Sequence, residues 1–271
     1  MPNHQAVSRS THATQRWRRY NSYAFAATDA VAPLVAQELP KACMHLALAF
    51  IPQGEHHTPV AVLGLQPGQN LFVAPDGRWL GGYTPAAYRG HPFALANTPE
   101  GQQVLCVDAD SGLTHDSHIS SEGEAFFDEQ GQPSQPVKEV MNFLQQVHAN
   151  RAATERICAA LQAQDLIQPW PIAVKTGQGD KTVQGLYRID EAKLNRLSAD
   201  ALHTLQQAGA LPVVYAQLLS MQHLPTLGQL AHAHEQAQAQ TQTSTRLPTT
   251  ANGEIDLEFL HRDGTLSFGN L

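Results

Sequence analysis

Charge is scarce in this chain of 271 residues, where Asp, Glu, Lys and Arg together supply 15% of positions. The balance is acidic, −7 with histidine neutral. That argues against a general nucleic-acid binder, which needs a basic surface to release counterions. Cysteine is rarer still. Three residues at distant spacings, Cys43, Cys106 and Cys158, make no disulfide framework. Cys43 in ACMHLALAF and Cys106 in VLCVD have apolar neighbours, which predicts buried, inert thiols and a reducing compartment. No apolar run approaches the ~20 residues of a membrane span. The opening MPNHQAVSRSTHATQRWRRY lacks the apolar centre of a secretory signal. The expectation is a soluble, cytoplasmic protein with enough chain to bury a core. Nucleotide-binding signatures are missing as well. There is no G-x-x-x-x-G-K-[ST], and the glycine pair of WLGGYTP leads into a proline turn, where no helix N-terminus can hold phosphate. Ser220 sits in LLSMQ without the G-x-S-x-G of a hydrolase elbow.

What is present points to an α+β chain: an antiparallel β-rich N-terminal half, a helix-rich α/β C-terminal half and a C-terminal β-hairpin. Residues 1–20 read as a flexible basic arm, with Arg9, Arg16, Arg18 and Arg19 and no acid. Residues 21–135 read as β-rich. CMHLALAFIP and VAVLGL are apolar runs closed by turn residues, while FAL, VLCVD and AFFDEQGQP continue the pattern. LFV, the Asp76-Gly77 turn and RWLGGY predict a further hairpin. From 136 to 230 the spacing becomes helical. Val140, Phe143, Leu144, Val147, Ile157 and Leu161 recur at helical intervals after Pro136. Ser198 and Gly209 bracket a second helix as N-cap and C′ residue, and LPVVYAQLLSMQHL follows as a third. Residues 231–250 are a low-complexity Gln/Thr/Ala tract, expected as a linker or frayed helix. In 251–271 the alternation of IDLEFLHRDGTLSF around Asp263-Gly264 predicts the terminal hairpin.

Residues 100–131 hold eight acids and no Lys or Arg, which is the pattern of a solvated face, a metal site or a surface for a basic partner. Among the 14 histidines, His115 and His118 are the best metal candidates, with Asp116 between them and Asp108 and Asp110 near. Their H-D-S-H spacing lacks the second ligand pair of a specific zinc motif. DADSG fails as a calcium loop, because Leu113 and Ile119 fall where that loop needs glycine and glutamate. Asp190, at a strand-to-helix junction in YRIDEAKLN, predicts an N-cap. The densest recognition chemistry is DGRWLGGYTPAAYRGHPF, residues 76–93, where Arg78 adjoins Trp79 and Arg89 adjoins Tyr88. Planar cations beside rings either stack as cover for a core or line a site for carboxylates and peptide backbone. The candidate partner-binding set is Arg78, Trp79, Tyr83, Tyr88, Arg89 and Trp170. No catalytic set and no cofactor are expected.

The ordered blocks LGLQPGQNLFV, DGRWLGGYTPAAYRGHPF, VLCVD, FFDEQGQP, QPW, GLYRIDEAKLN and GALPVVYAQLLSMQ resemble the bacterial SapC-like family from about Tyr23 to Leu230. The likeness makes residues 21–230 its globular region. Relatives commonly carry tyrosine where this chain has His91. Members are encoded beside flavin-dependent tryptophan-halogenase-like proteins, cupin- or JmjC-like proteins and TonB-dependent receptors, and the family name derives from S-layer genes. The resemblance implies such neighbours as partners and supplies no catalytic residues. The leading expectation is therefore a non-enzymatic accessory protein that binds a peptide or protein. The alternatives are a metal-dependent oxygenase-like or hydrolytic enzyme built on the His/Asp cluster, and a structural role in the S-layer or envelope.

Overall fold

The computed structural model describes residues 3–99, 101–176 and 179–245. Its strands are β1 (His4–Ala6), β2 (Gln15–Trp17), β3 (Val31–Pro33), β4 (Leu48–Gln53), β5 (His56–Val62), β6 (Phe93–Asn97), β7 (Gln103–Asp108), β8 (Thr114–Asp116), β9 (Glu124–Ala125), β10 (Ile167–Pro169), β11 (Ile172–Thr176), β12 (Gly179–Val183) and β13 (Tyr187–Ile189). The helices are α1 (Arg9–His12), α2 (Leu39–Ala42), α3 (Ala86–Arg89), α4 (Gln135–Ala163), α5 (Glu191–Leu194), α6 (Ala199–Gln207), α7 (Leu211–Ser220) and α8 (Leu224–Thr245). Strands paired antiparallel and helices thus coexist in an α+β fold. No helix among the described residues is long and apolar enough to cross a membrane.

The principal sheet has the order β10-β13-β4-β5-β3. Its centre is the β4–β5 hairpin, in register through Ala49↔Val60 and turning at Gly54. Leu48, Ala49 and Phe50 are all buried. Successive strand side chains point to opposite faces, so this run requires cover on both. Helix α4 packs along β5, and α7 against β4 and β13. Ser220 and Gln217 of α7 lock that contact with hydrogen bonds to the backbone of Leu48 and Ile189. The principal core draws Leu48, Phe50 and Leu71 from the β-rich half and Cys158, Leu161, Leu205 and Val214 from the helical half, so the two halves share it.

A second, smaller core holds Trp17, Phe93, Val107, Phe126 and Val137. It lies between the sheets β1-β7-β6 and β8-β2-β9 and the start of α4. The N-terminal segment belongs to it, which corrects the expectation of a flexible arm. β1 pairs with β7, β2 is flanked by β8 and β9, and Trp17 is only 2% exposed. Burying an indole gives the segment a reason to dock that its polar composition conceals. The acidic stretch is its electrostatic complement. Arg19 meets Glu124 at 3.1 Å, Arg18 lies 3.9 Å from Glu122, and Arg16 donates to the Gly123 carbonyl. The basic partner of the acidic lobe is, at this edge, the chain's own N-terminus.

The hairpin expected over residues 71–83 is reduced to one bridge, Val73↔Trp79. Gly77 makes the turn at φ 83°, a conformation that costs glycine little. Leu80 N–H still bonds the Phe72 carbonyl, and beyond it the Trp79 indole turns back to donate to the Tyr83 carbonyl. The local helix signals hold as expected. Ser198 caps α6, Asp190 caps α5, and Gly209 takes φ 70° after α6. The low-complexity tract as far as Thr245 continues α8, helped by its Ala- and Gln-rich composition and by burial of Leu227 and Ala231. The hairpin expected over 251–271 lies outside the described residues.

Candidate recognition surface

The site is organised by an acid that sequence reasoning passed over. Glu38 ends a 3₁₀ turn between β3 and α2 and is 6% exposed. A carboxylate that deep needs partners, and it has several. One oxygen accepts the Val35 N–H at 2.9 Å. The other accepts the Tyr83 hydroxyl and the Ala86 N–H, both at 2.8 Å. Arg89 adds charge at 3.8 Å and donates to the Tyr83 hydroxyl. Burial, and then the Glu38 charge, push the Tyr83 phenol above its usual range. The loop carrying the aromatic block is thus tied to the 3₁₀ turn after β3 through one buried carboxylate.

Five of the six expected residues occupy this one region. Trp79 sits among Phe72, Tyr23 and Tyr88, with ring centroids 5.6, 5.4 and 5.9 Å away. Tyr88 is buried, and its hydroxyl approaches Asp29 without reaching full hydrogen-bond geometry. Burial first, and then Asp29, raise that phenol. Burial likewise raises the Asp29 carboxyl. Arg89 lies over Phe143 and Tyr83 at 5.2 and 5.8 Å. Arg78 is exposed and paired with Asp76 at 2.6 Å, which holds the Asp76 carboxyl below its usual value. Trp170 is elsewhere, buried in the principal core with its backbone N–H on the Leu186 carbonyl.

The outer layer comes from residues that were not singled out. Tyr20 meets Tyr23, Phe25 and His91 edge to face, at 5.2, 5.2 and 5.8 Å. Phe25 stacks on His91, which precedes a cis bond to Pro92. Phe25 and the neighbouring block's Leu80 remain open to solvent, at 36% and 44%. The signal was in the chain: Tyr20, Tyr23 and Phe25 fall within six residues of YNSYAF. Only the fold shows that they cover Trp79 and Tyr88.

The histidine candidates do not join this surface. His115 bonds the Glu122 carbonyl through Nε2, while the exposed His118 takes a backbone turn against Asp116. Among the described residues no group of three or more His, Cys, Asp or Glu side chains gathers as metal ligands. Trp17 Nε1, His115 Nδ1 and Glu124 Oε2 are buried without a partner, all on the sheet β8-β2-β9. Such atoms suit bridging water.

Chemically, the surface offers flat rings, fixed guanidinium groups and protonated phenols. A family model described as SapC matches residues 7–227 of the chain. No curated protein and no solved structure matches it.

Proposed function

From the premise that the chain belongs to the SapC family, we propose that it is a non-enzymatic binding protein that recognises a peptide or protein partner through the Tyr20–Phe25–His91 layer. The observation carrying this is the Phe25–His91 stack, solvent-facing on one side and backed by Trp79 and Tyr88 on the other. Aromatic anchors on a stiff base contribute contact area at small entropic cost, which is how interface hot spots work. Leu80, next to Trp79 in the chain, is a second exposed apolar side chain of the block, and Arg78 and Arg89 supply its cations. The proposed setting is the cytoplasm, alongside halogenase-like, cupin-like or TonB-dependent receptor systems.

The test is affinity capture from the native host, followed by direct titration of the identified partner against the purified chain. The substitutions Phe25→Ala and Leu80→Asp together should weaken that titration about tenfold or more, with thermal stability retained. Undiminished binding by the double variant would remove this surface from the interface. Turnover of a small substrate at an enzyme-like rate would replace the binding reading with an enzymatic one.

A further inference from the structure

A cleft of about 580 Å³ opens between α4 and the β3–β5 side of the principal sheet. That lies within the range of small-molecule sites, about 300–1,000 Å³. Its floor is aliphatic: Leu34, Val35, Ile51, Pro59 and Val147. No Phe, Tyr or Trp lines it, and its only rings are the imidazoles of His56 and His57 beside the aliphatic floor.

The polar groups of the walls are largely occupied within the fold. Glu38 has its three hydrogen-bond donors. The Thr154 hydroxyl donates to the Asn150 carbonyl and accepts the Ala36 N–H. Thr58 donates to Gln53, and His57 bonds Gln162. Two groups lining it, Arg151 and His56, have no hydrogen-bond or ion-pair partner among the described residues, and Glu155, which also lines it, acts through its charge on the Cys158 thiol. Arg151 and Glu155 stand one turn apart on α4, and Val147 lies one turn before Arg151. Helical spacing therefore sets an apolar wall, a guanidinium and an acid in succession along one side.

We propose that this cleft binds an aliphatic monocarboxylate, with its chain on the Leu34–Ile51–Val147 floor and its head on Arg151. The guanidinium fork matches a carboxylate with two parallel N–H···O bonds. A dianion such as a phosphate monoester is disfavoured, because one permanent cation would face it with Glu155 nearby. An ammonium head placed over the same floor would meet the Arg151 guanidinium as a like charge. This inference is independent of the protein-partner reading, and neither test bears on the other.

Calorimetric titration of the full chain with hexanoate, octanoate and decanoate is the direct experiment. Saturable one-to-one binding is expected, tightening about fourfold per added methylene until the floor is covered. Octan-1-ol should bind at least about tenfold more weakly than octanoate, as expected for a lost charge-assisted pair. Arg151→Gln, on an exposed helix position, should bring octanoate down to the octanol level and leave octanol unchanged. Val147→Trp should obstruct the apolar wall and weaken both. No saturable binding, equal affinity for octylammonium, or an Arg151→Gln variant that still prefers octanoate would each overturn the proposal. If Val147→Trp does not fold, the Arg151→Gln comparison decides alone.

Discussion

The Phe25 ring lies flat on the His91 ring, with centroids 3.8 Å apart and planes 12° from parallel. Burial lowers the His91 pKa from its ordinary value near 6.5, against a smaller opposing pull from Asp108. His12, packed on Phe126, is lowered for the same reason. In both cases the folded protein holds fewer protons than the unfolded chain between the lowered pKa and about 6.5. Their stabilisation is therefore complete above about pH 6.5 and is lost as pH falls through the folded values. Tm should drop as pH is lowered from neutrality. His91→Tyr keeps a ring against Phe25 and removes one titration, so its Tm should fall less steeply over the same range. A His91→Tyr profile parallel to the parent would show that His91 does not couple to folding.

Glu38 should be the least replaceable acid. Glu38→Ala leaves the Val35 and Ala86 N–H groups and the Tyr83 hydroxyl without their acceptor. Each buried unpaired group costs about 1–3 kcal/mol, so a loss of at least about 3 kcal/mol is expected on chemical denaturation. Tyr83→Phe removes one hydroxyl and should cost about 1 kcal/mol. The double variant should cost less than the sum, because the two changes delete a shared bond. Additive losses would mean that the Tyr83–Glu38 contact contributes nothing to stability.

The N-terminal segment separates apolar from ionic docking. Trp17 is buried with Phe93 edge-on at 4.8 Å. Trp17→Ala should cost about 3–5 kcal/mol. The Arg18–Glu122 pair is exposed, the Arg19–Glu124 pair joins an exposed guanidinium to a half-buried carboxylate, and surface pairs of this kind contribute about 0–1 kcal/mol. Arg18→Ala and Arg19→Ala should therefore leave denaturation midpoints nearly unchanged. A larger loss from the arginines than from Trp17 would reverse the assignment.

What could be read from the chain was local. Strands β6 and β7, the long helix α4 and the caps at Ser198 and Asp190 follow from neighbouring residues, and each stands where it was expected. What could not be read was long-range. Trp17 pairs with Thr114 and Glu124, roughly a hundred residues away, and nothing in QRWRRY names those partners. Glu38, in the plain stretch VAQELPK, becomes the anchor only because the fold brings Tyr83 and Ala86 to it. The aromatic block was visible by composition. Its cover by Tyr20 depends on the last residue of a segment that was expected to be loose, and Phe25 follows five residues later.

Cysteine chemistry gives a last check on the packing. Cys43, Cys106 and Cys158 are all free thiols and all buried. Burial raises each thiol pKa, and at Cys158 burial together with the Glu155 charge pushes it up to about 12. The thiolate is the reactive form, so native protein at pH 8 should resist a disulfide reagent such as dithionitrobenzoate. Denaturant should release all three thiols together if the shared core unfolds as one unit, since Cys43 and Cys158 belong to the principal core and Cys106 to the β6–β7 hairpin beside the smaller one. Early reaction of one thiol, well below the main transition, would locate a part that opens separately. Rapid native labelling of Cys158 would contradict the packing of α4 on the sheet.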